Sequence, residues 1–98
     1  MKAINIQVET INNWLNRFDG KSRIEAEVIL NGESIDLTSN IISESRIWDY
    51  IEMIFKDEIG DLDVYPFHLI DWDSIFQDFL DNQFIEFEFN RETWYVER

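Results

Sequence analysis

Apolar residues recur along this chain with two different periods, and the switches between them predict the order of its elements. Ile4, Ile6 and Val8 take alternate positions in residues 2–8, the period of a half-buried strand. Thr10 then offers an N-cap to a short helix with Ile11, Trp14, Leu15 and Phe18 on one face, closed by Asp19-Gly20. Ile24, Ala26, Val28 and Leu30 next alternate with Arg23, Glu25, Glu27 and Ile29, and Asn31-Gly32 is the residue pair that a type I′ turn prefers. A β-hairpin is expected here, with Glu33 to Thr38 as the returning strand, and it is the strongest local signal in the chain.

From Ser43 or Glu44 to Glu58 the period lengthens. Ile47, Trp48, Ile51, Ile54 and Phe55 form the apolar stripe of a helix of about four turns, with Gly60 just past its end. Asp61 to Leu69 holds the single proline and reads as an ordered loop or a short edge strand. Asp71 is a good N-cap for a helix to about Asn82 that turns Trp72, Ile75, Phe76, Phe79 and Leu80 inward. Ile85 to Phe89 alternates again, Asn90-Arg91-Glu92 makes a turn, and Thr93 to Glu97 pairs back. The expected fold class is therefore α+β: an antiparallel sheet of two hairpins plus an N-terminal strand, with about three helices packed on one face.

With 98 residues the chain is expected to form one domain over 1–98, large enough for a modest core without disulfides or metals. Its 45% hydrophobic and 15% aromatic residues place it well away from disordered sequences. The segment MKAINIQVET has no apolar h-region, and no run approaches the roughly 20 apolar residues of a membrane span. Cysteine is absent, as suits a reducing compartment. A soluble, unexported, cytoplasmic protein is expected, and no segment repeats with the period of a solenoid.

Charge changes the picture most. The formal net charge is −13, and eight scattered Lys and Arg make no basic patch, so direct binding to nucleic acid or to an anionic membrane is not expected. Between Asp57 and Glu88 there are ten carboxylates, Asp57, Glu58, Asp61, Asp63, Asp71, Asp73, Asp78, Asp81, Glu86 and Glu88, and no Lys or Arg. Residues from Tyr65 to Phe89 include thirteen large apolar or aromatic ones, too many for a disordered acidic tail. Like charges held together oppose folding, so a folded surface of this kind points to use of its field, and basic proteins are the natural users.

Catalytic parts are few. His68 is the single histidine, and no G-x-S-x-G elbow accompanies a serine. Asp57, Asp61 and Asp63 lack the calcium-loop pattern with its Gly and twelfth-position Glu, and no Gly-rich phosphate loop occurs. With 21 acids, some pair will meet a glycosidase spacing by chance. The chain is expected not to be an enzyme, with no cofactor and no dedicated metal site.

The spacing of the acids is more informative. On strands, Glu25/Glu27 and Glu86/Glu88 would each face one side at about 6.6 to 6.8 Å, twice the strand rise, near the step between successive phosphates. On the helix after Asp71, Asp73, Asp78 and Asp81 fall within about 140° of one another, opposite the apolar stripe, at about 100° per residue. Acids on the outer faces of amphipathic elements also serve solubility alone, but a merely solvated face usually mixes both signs. Trp14, Trp48, Trp72, Phe76 and Phe79 have the spacing of core residues; Trp94 and Tyr95 must face opposite sides of a strand, which leaves one of them for a partner.

The segment Ile70-Asp71-Trp72-Asp73-Ser74-Ile75-Phe76-Gln77-Asp78-Phe79, followed by Asn82 and an aromatic strand, resembles the recurrent segment of ArdA-type antirestriction proteins over about 30 residues. The family usually has Arg where this chain has Gln77, and its members are longer. The resemblance implies an acidic DNA mimic from a phage or mobile element that blocks type I restriction-modification enzymes, with Asp71, Asp73 and Asp78 as the matching acidic positions. A chain of this length covers part of such a footprint unless it forms a homodimer or meets another target, such as a CRISPR effector.

The expectation is thus an antirestriction or anti-CRISPR inhibitor whose ten carboxylates occupy the DNA groove of a basic DNA-binding protein. Two rivals stand beside it: an immunity or antitoxin protein capping the basic active site of a cognate nuclease toxin, and an adaptor whose charge only confers solubility.

Overall fold

In this computed structural model residues 8–98 are described, so all but Val8 of the strand expected over 2–8 lies outside the described residues. Strand β1 (Glu9–Thr10) leads into helix α1 (Ile11–Leu15), with the Thr10 hydroxyl accepting from the Asn13 N–H at 3.4 Å as the cap expected of it. Helix α2 (Gly20–Gly32), strand β2 (Asn40–Ser43) and helix α3 (Glu44–Ile59) follow. A loop with a single 3-10 turn (Phe67–Leu69) leads to helix α4 (Trp72–Gln83) and then to the hairpin of β3 (Phe84–Phe89) and β4 (Glu92–Glu97). The fold is α+β, with four antiparallel strands in the order β1-β2-β4-β3.

The first hairpin does not form. Residues 20–32 are helical, and Glu33 to Ser39 form turns in place of a return strand. Alternation at 24, 26, 28 and 30 is compatible with a helix that buries Ala26 and Leu30 and leaves Ile24 and Val28 outside. Lys21–Glu25 and Arg23–Glu27 then pair at i,i+4, a spacing that favours helix. Asn31-Gly32 is the last helical step, not a turn. The left-handed position falls to Ser34 (φ 54°), whose N–H donates to the Asn31 carbonyl while the Ile35 N–H reaches Leu30. These are the two bonds of a Schellman stop, and Ile35 packs on the same cluster as Leu30, the apolar contact that accompanies it.

Helices cover both faces of the sheet, not one. Ile41, Trp94, Val96, Phe87 and Phe89 face α1 and α2, where Trp14 meets Phe18, Phe87, Phe89 and Trp94 edge-on at 4.9–5.9 Å. Such pairs are worth about 0.5–1.5 kcal/mol each beyond burial. Ile42, Phe84 and Tyr95 face α3 and α4, packing with Ile47, Tyr50, Ile51 and Leu80. Ile41 and Ile42, neighbours on β2, belong to opposite cores, as alternation on a central strand requires. The segment Asp61 to Leu69 is a loop with one 3-10 turn and contributes no edge strand.

Candidate functional site

Helix α4 is set in rotation by its inner aromatics. Phe55 of α3 receives Trp72, Phe76 and Phe79 at 5.9, 5.2 and 5.3 Å between ring centres, and the Trp72 indole N–H donates to the Phe67 carbonyl at 2.8 Å. Asp71 caps the helix as expected: one carboxylate oxygen accepts from the Ser74 hydroxyl (2.8 Å), the other from its N–H (3.3 Å). The Ser74 hydroxyl, then its N–H, holds the Asp71 carboxyl below the usual carboxylate range.

With that face turned inward, Asp73, Asp78 and Asp81 are all exposed, and they line a shallow concavity of about 420 Å³ with Ser74 and Gln77. Side-chain amides orient two of them: Gln77 donates to Asp81 at 2.9 Å and Asn82 to Asp78 at 3.2 Å. An amide fixes a carboxylate without neutralising it, so the charge stays available.

Glu86 and Glu88 lie exposed on one face of β3, opposite Tyr95 and Thr93 of β4, so the spacing argued for this pair holds. The spacing argued for Glu25/Glu27 fails, because on α2 those residues point apart and each has a cation. The Tyr95 hydroxyl donates to Glu86 at 3.1 Å. Its pKa is pushed up to about 12, first by burial, then by that bond, then by the charges of Glu86, Glu44 and Asp81. Three carboxylates from α3, α4 and β3 thus act on one point.

The remaining four acids form a separate group at the end of α3 and in the loop after it. Asp57, Glu58 and Asp63 are exposed, while Asp61 accepts from the Asp63 N–H at 2.9 Å. Lys56 serves this group in part: its pKa is raised by its 2.9 Å pair with Glu52 and, more weakly, by Asp63 and Asp61. The four ion pairs among the described residues use Glu9, Glu25, Glu27 and Glu52, and none uses any of the ten carboxylates singled out above.

Trp48 corrects the assignment of that residue to the core. The residue is 44% exposed, while Tyr50, not counted in the stripe, is buried in its place. The helical wheel carries the signal: at about 100° per residue Ile47, Tyr50, Ile51 and Ile54 share one side, and Trp48 falls roughly 60° beyond Ile51. Its indole walls a concavity of about 350 Å³ with Gln77, Leu80, Asp81, Phe84, Glu86 and Tyr95, and another of about 340 Å³ with Asp73, Phe76 and Gln77. Glu44 and Trp48 went unnoticed as site residues, although both line the surface toward the β3–β4 turn. Of the adjacent pair on β4, Trp94 is buried and Tyr95 is the partly open one.

His68 is exposed beside Tyr65 in the loop. Among the described residues no three His, Asp or Glu side chains converge as a metal ion would require, and no helix is long and apolar enough to cross a membrane. No protein-family model, curated protein or solved structure matches the chain.

Proposed function

We propose that this protein is a cytoplasmic inhibitor of phage or mobile-element type that acts as a DNA mimic. Its exposed carboxylates enter the DNA-binding groove of a host defence enzyme, a type I restriction-modification complex or a CRISPR effector, and exclude DNA by occupancy, without turnover. The observation that carries this reading is the exposed set Asp73, Asp78, Asp81, Glu86 and Glu88, held on a helix and a strand with no ion pair among the described residues. Rigid, uncompensated anions are what a groove built for phosphates accepts. The shape agrees: extents of 52 × 25 × 22 Å make a rod about as long as 15 base-pair steps of roughly 3.4 Å. The resemblance of residues 70–79 to ArdA-type proteins adds the target class.

A second reading has an observation of its own. The half-open indole of Trp48 between acidic walls suits one cognate partner, as an immunity protein capping a nuclease toxin would have. Competition binding separates the two. Labelled duplex DNA is bound to a type I restriction complex or to a CRISPR effector, and the chain is titrated in at 50 and 200 mM salt. A mimic releases DNA, its own affinity for the enzyme falls at the higher salt, and Asp73→Asn/Asp78→Asn/Asp81→Asn/Glu86→Gln weakens release by about tenfold or more. Failure to displace DNA from either enzyme class would reject the mimic and turn the search to a toxin.

A further inference from the structure

Four tryptophans are present, and they are not equivalent. Trp14 and Trp94 are buried in the first core, Trp72 is half-buried and bonded through its indole N–H, and Trp48 alone has an open ring. That ring stands at the meeting of α3, α4 and the β3–β4 hairpin. Its neighbours there divide by chemistry. Leu80 and Phe84 are buried and apolar, Phe76 is half-buried, and the charged residues sharing these walls are Glu44, Asp73, Asp81 and Glu86, with Glu92 and Arg91 on the hairpin side. On the α4 side of the indole no Lys or Arg lines the groove.

An occupant must satisfy both halves of this surface. A purely apolar side chain would cover the indole but strip water from the carboxylates and give them nothing in return. A nucleic-acid base could stack on the ring, but its phosphates would meet the acids. A lysine ammonium answers the charge, yet it is compact and strongly hydrated. The guanidinium of arginine is planar, weakly hydrated, able to lie on an indole face, and carries five N–H donors in the plane for carboxylates at its edge.

We propose that the Trp48 groove is an anchoring site for an arginine side chain of a basic protein partner, stacked on the indole with its N–H groups turned to the carboxylates of Asp81 and Glu86, which line the same concavity as the ring. This deepens the proposed function and rests on its premise of a basic protein partner. Carboxylates spread over α4 and β3 supply a field that salt screens; an arginine clasped in an apolar groove is screened much less. The site thus gives a diffuse electrostatic contact one fixed point, in the place where alanine scans find tryptophan and arginine dominating interfaces.

The test needs no knowledge of the partner. Two capped nonapeptides, one with three arginines spaced by Gly-Ser and one with three lysines in their place, are titrated into the full chain at 150 mM salt. The four indole N–H resonances are followed by NMR, the Trp48 signal being identified by its loss in Trp48→Phe. The expected result is binding of the arginine peptide about tenfold tighter than the lysine peptide, with a shift at Trp48 and none at Trp14 or Trp94. Trp48→Ala, at an open position where the fold should survive as judged by circular dichroism, should bring the two peptides within about twofold of each other.

Equal binding of the two peptides, or arginine binding that leaves the Trp48 signal unmoved, would overturn the site. The DNA competition above fails separately. Release of DNA without arginine preference rejects the anchor alone, and arginine preference without release of DNA rejects the mimic alone.

Discussion

A single carboxylate oxygen joins α3 to the sheet. Glu97 of β4 is half-buried and accepts from the Tyr50 hydroxyl at 2.9 Å and from the Asn40 side-chain amide at 3.1 Å. Removing the hydroxyl leaves a desolvated carboxylate with one donor, so Tyr50→Phe should cost about 1–3 kcal/mol in urea unfolding at pH 7. The same contact has a pH signature. Burial first, then the bond to Glu97 and its charge, push the Tyr50 pKa up to about 12, and Tyr95 is pushed to about 12 by burial and Glu86. The folded state therefore holds these protons more tightly than the unfolded chain. The stability they supply is complete below pH 10, declines as pH rises from 10, and is gone above 12. Urea midpoints at pH 7 and pH 11 should differ in the natural chain, and Tyr50→Phe/Tyr95→Phe should remove most of that difference. An unchanged pH 11 midpoint in the natural chain would contradict the assignment.

Helix α2 is the element on which the hydrophobic pattern and the structure disagree, and mutation can separate the two arrangements. A hairpin strand would turn Ile24, Ala26, Val28 and Leu30 to one face alike. The helix buries Leu30 and Ala26 and exposes Ile24 and Val28 at 62% and 65%. Ile24→Gln and Val28→Gln should each change stability by less than about 0.5 kcal/mol, while Leu30→Ala should cost about 2–5 kcal/mol. Equal losses at 28 and 30 would favour the strand. Elsewhere the pattern was legible in the start of α1 at its Thr10 cap, in α3 with Gly60 at its end, in α4 behind Asp71 and in the last hairpin, because one period dominates each and a capping or turn residue marks it; α1 itself stops at Leu15, short of the Asp19-Gly20 end expected for it, and Gly20 opens α2. In α2 two periods fit the same four residues, and the i,i+4 ion pairs that decide between them weigh little singly. Strand β2, four residues with both faces buried, shows no alternation to find. For the site, the acids of α4 and β3 could be located from amphipathic spacing, whereas the opening of Trp48 depends on where α4 and the hairpin stop covering it, which no local period records.

Over the whole molecule the charge is unevenly divided. Sixteen of the 21 acidic residues, but four of the eight basic ones, follow Glu33. The sheet is the partition: among the described residues one side carries the Lys21–Glu25 and Arg23–Glu27 pairs of α2 and the Arg17–Glu9 pair beside α1, while the other has the Lys56–Glu52 pair of α3 and, on α4, three carboxylates and no cation. Such an arrangement repels itself, and repulsion between exposed charges is set by ionic strength. If the carboxylates of α4 and β3 serve a partner and not the fold, Asp73→Asn/Asp78→Asn/Asp81→Asn/Glu86→Gln should be more stable than the natural chain in 10 mM salt, where the Debye length is about 30 Å. The gain should shrink toward zero in 1 M salt, where that length is about 3 Å. The substitutions keep a side-chain carbonyl to accept from Gln77, Asn82 and Tyr95, so the change tests charge and not hydrogen bonding. Thermal unfolding at the two salt concentrations measures it. A variant that melts lower at 10 mM salt would mean that these carboxylates hold the structure together, and the field would need no partner to explain it. A variant that melts higher while losing its hold on a DNA-binding enzyme would show stability given up for binding, as expected of a surface kept for use by another molecule.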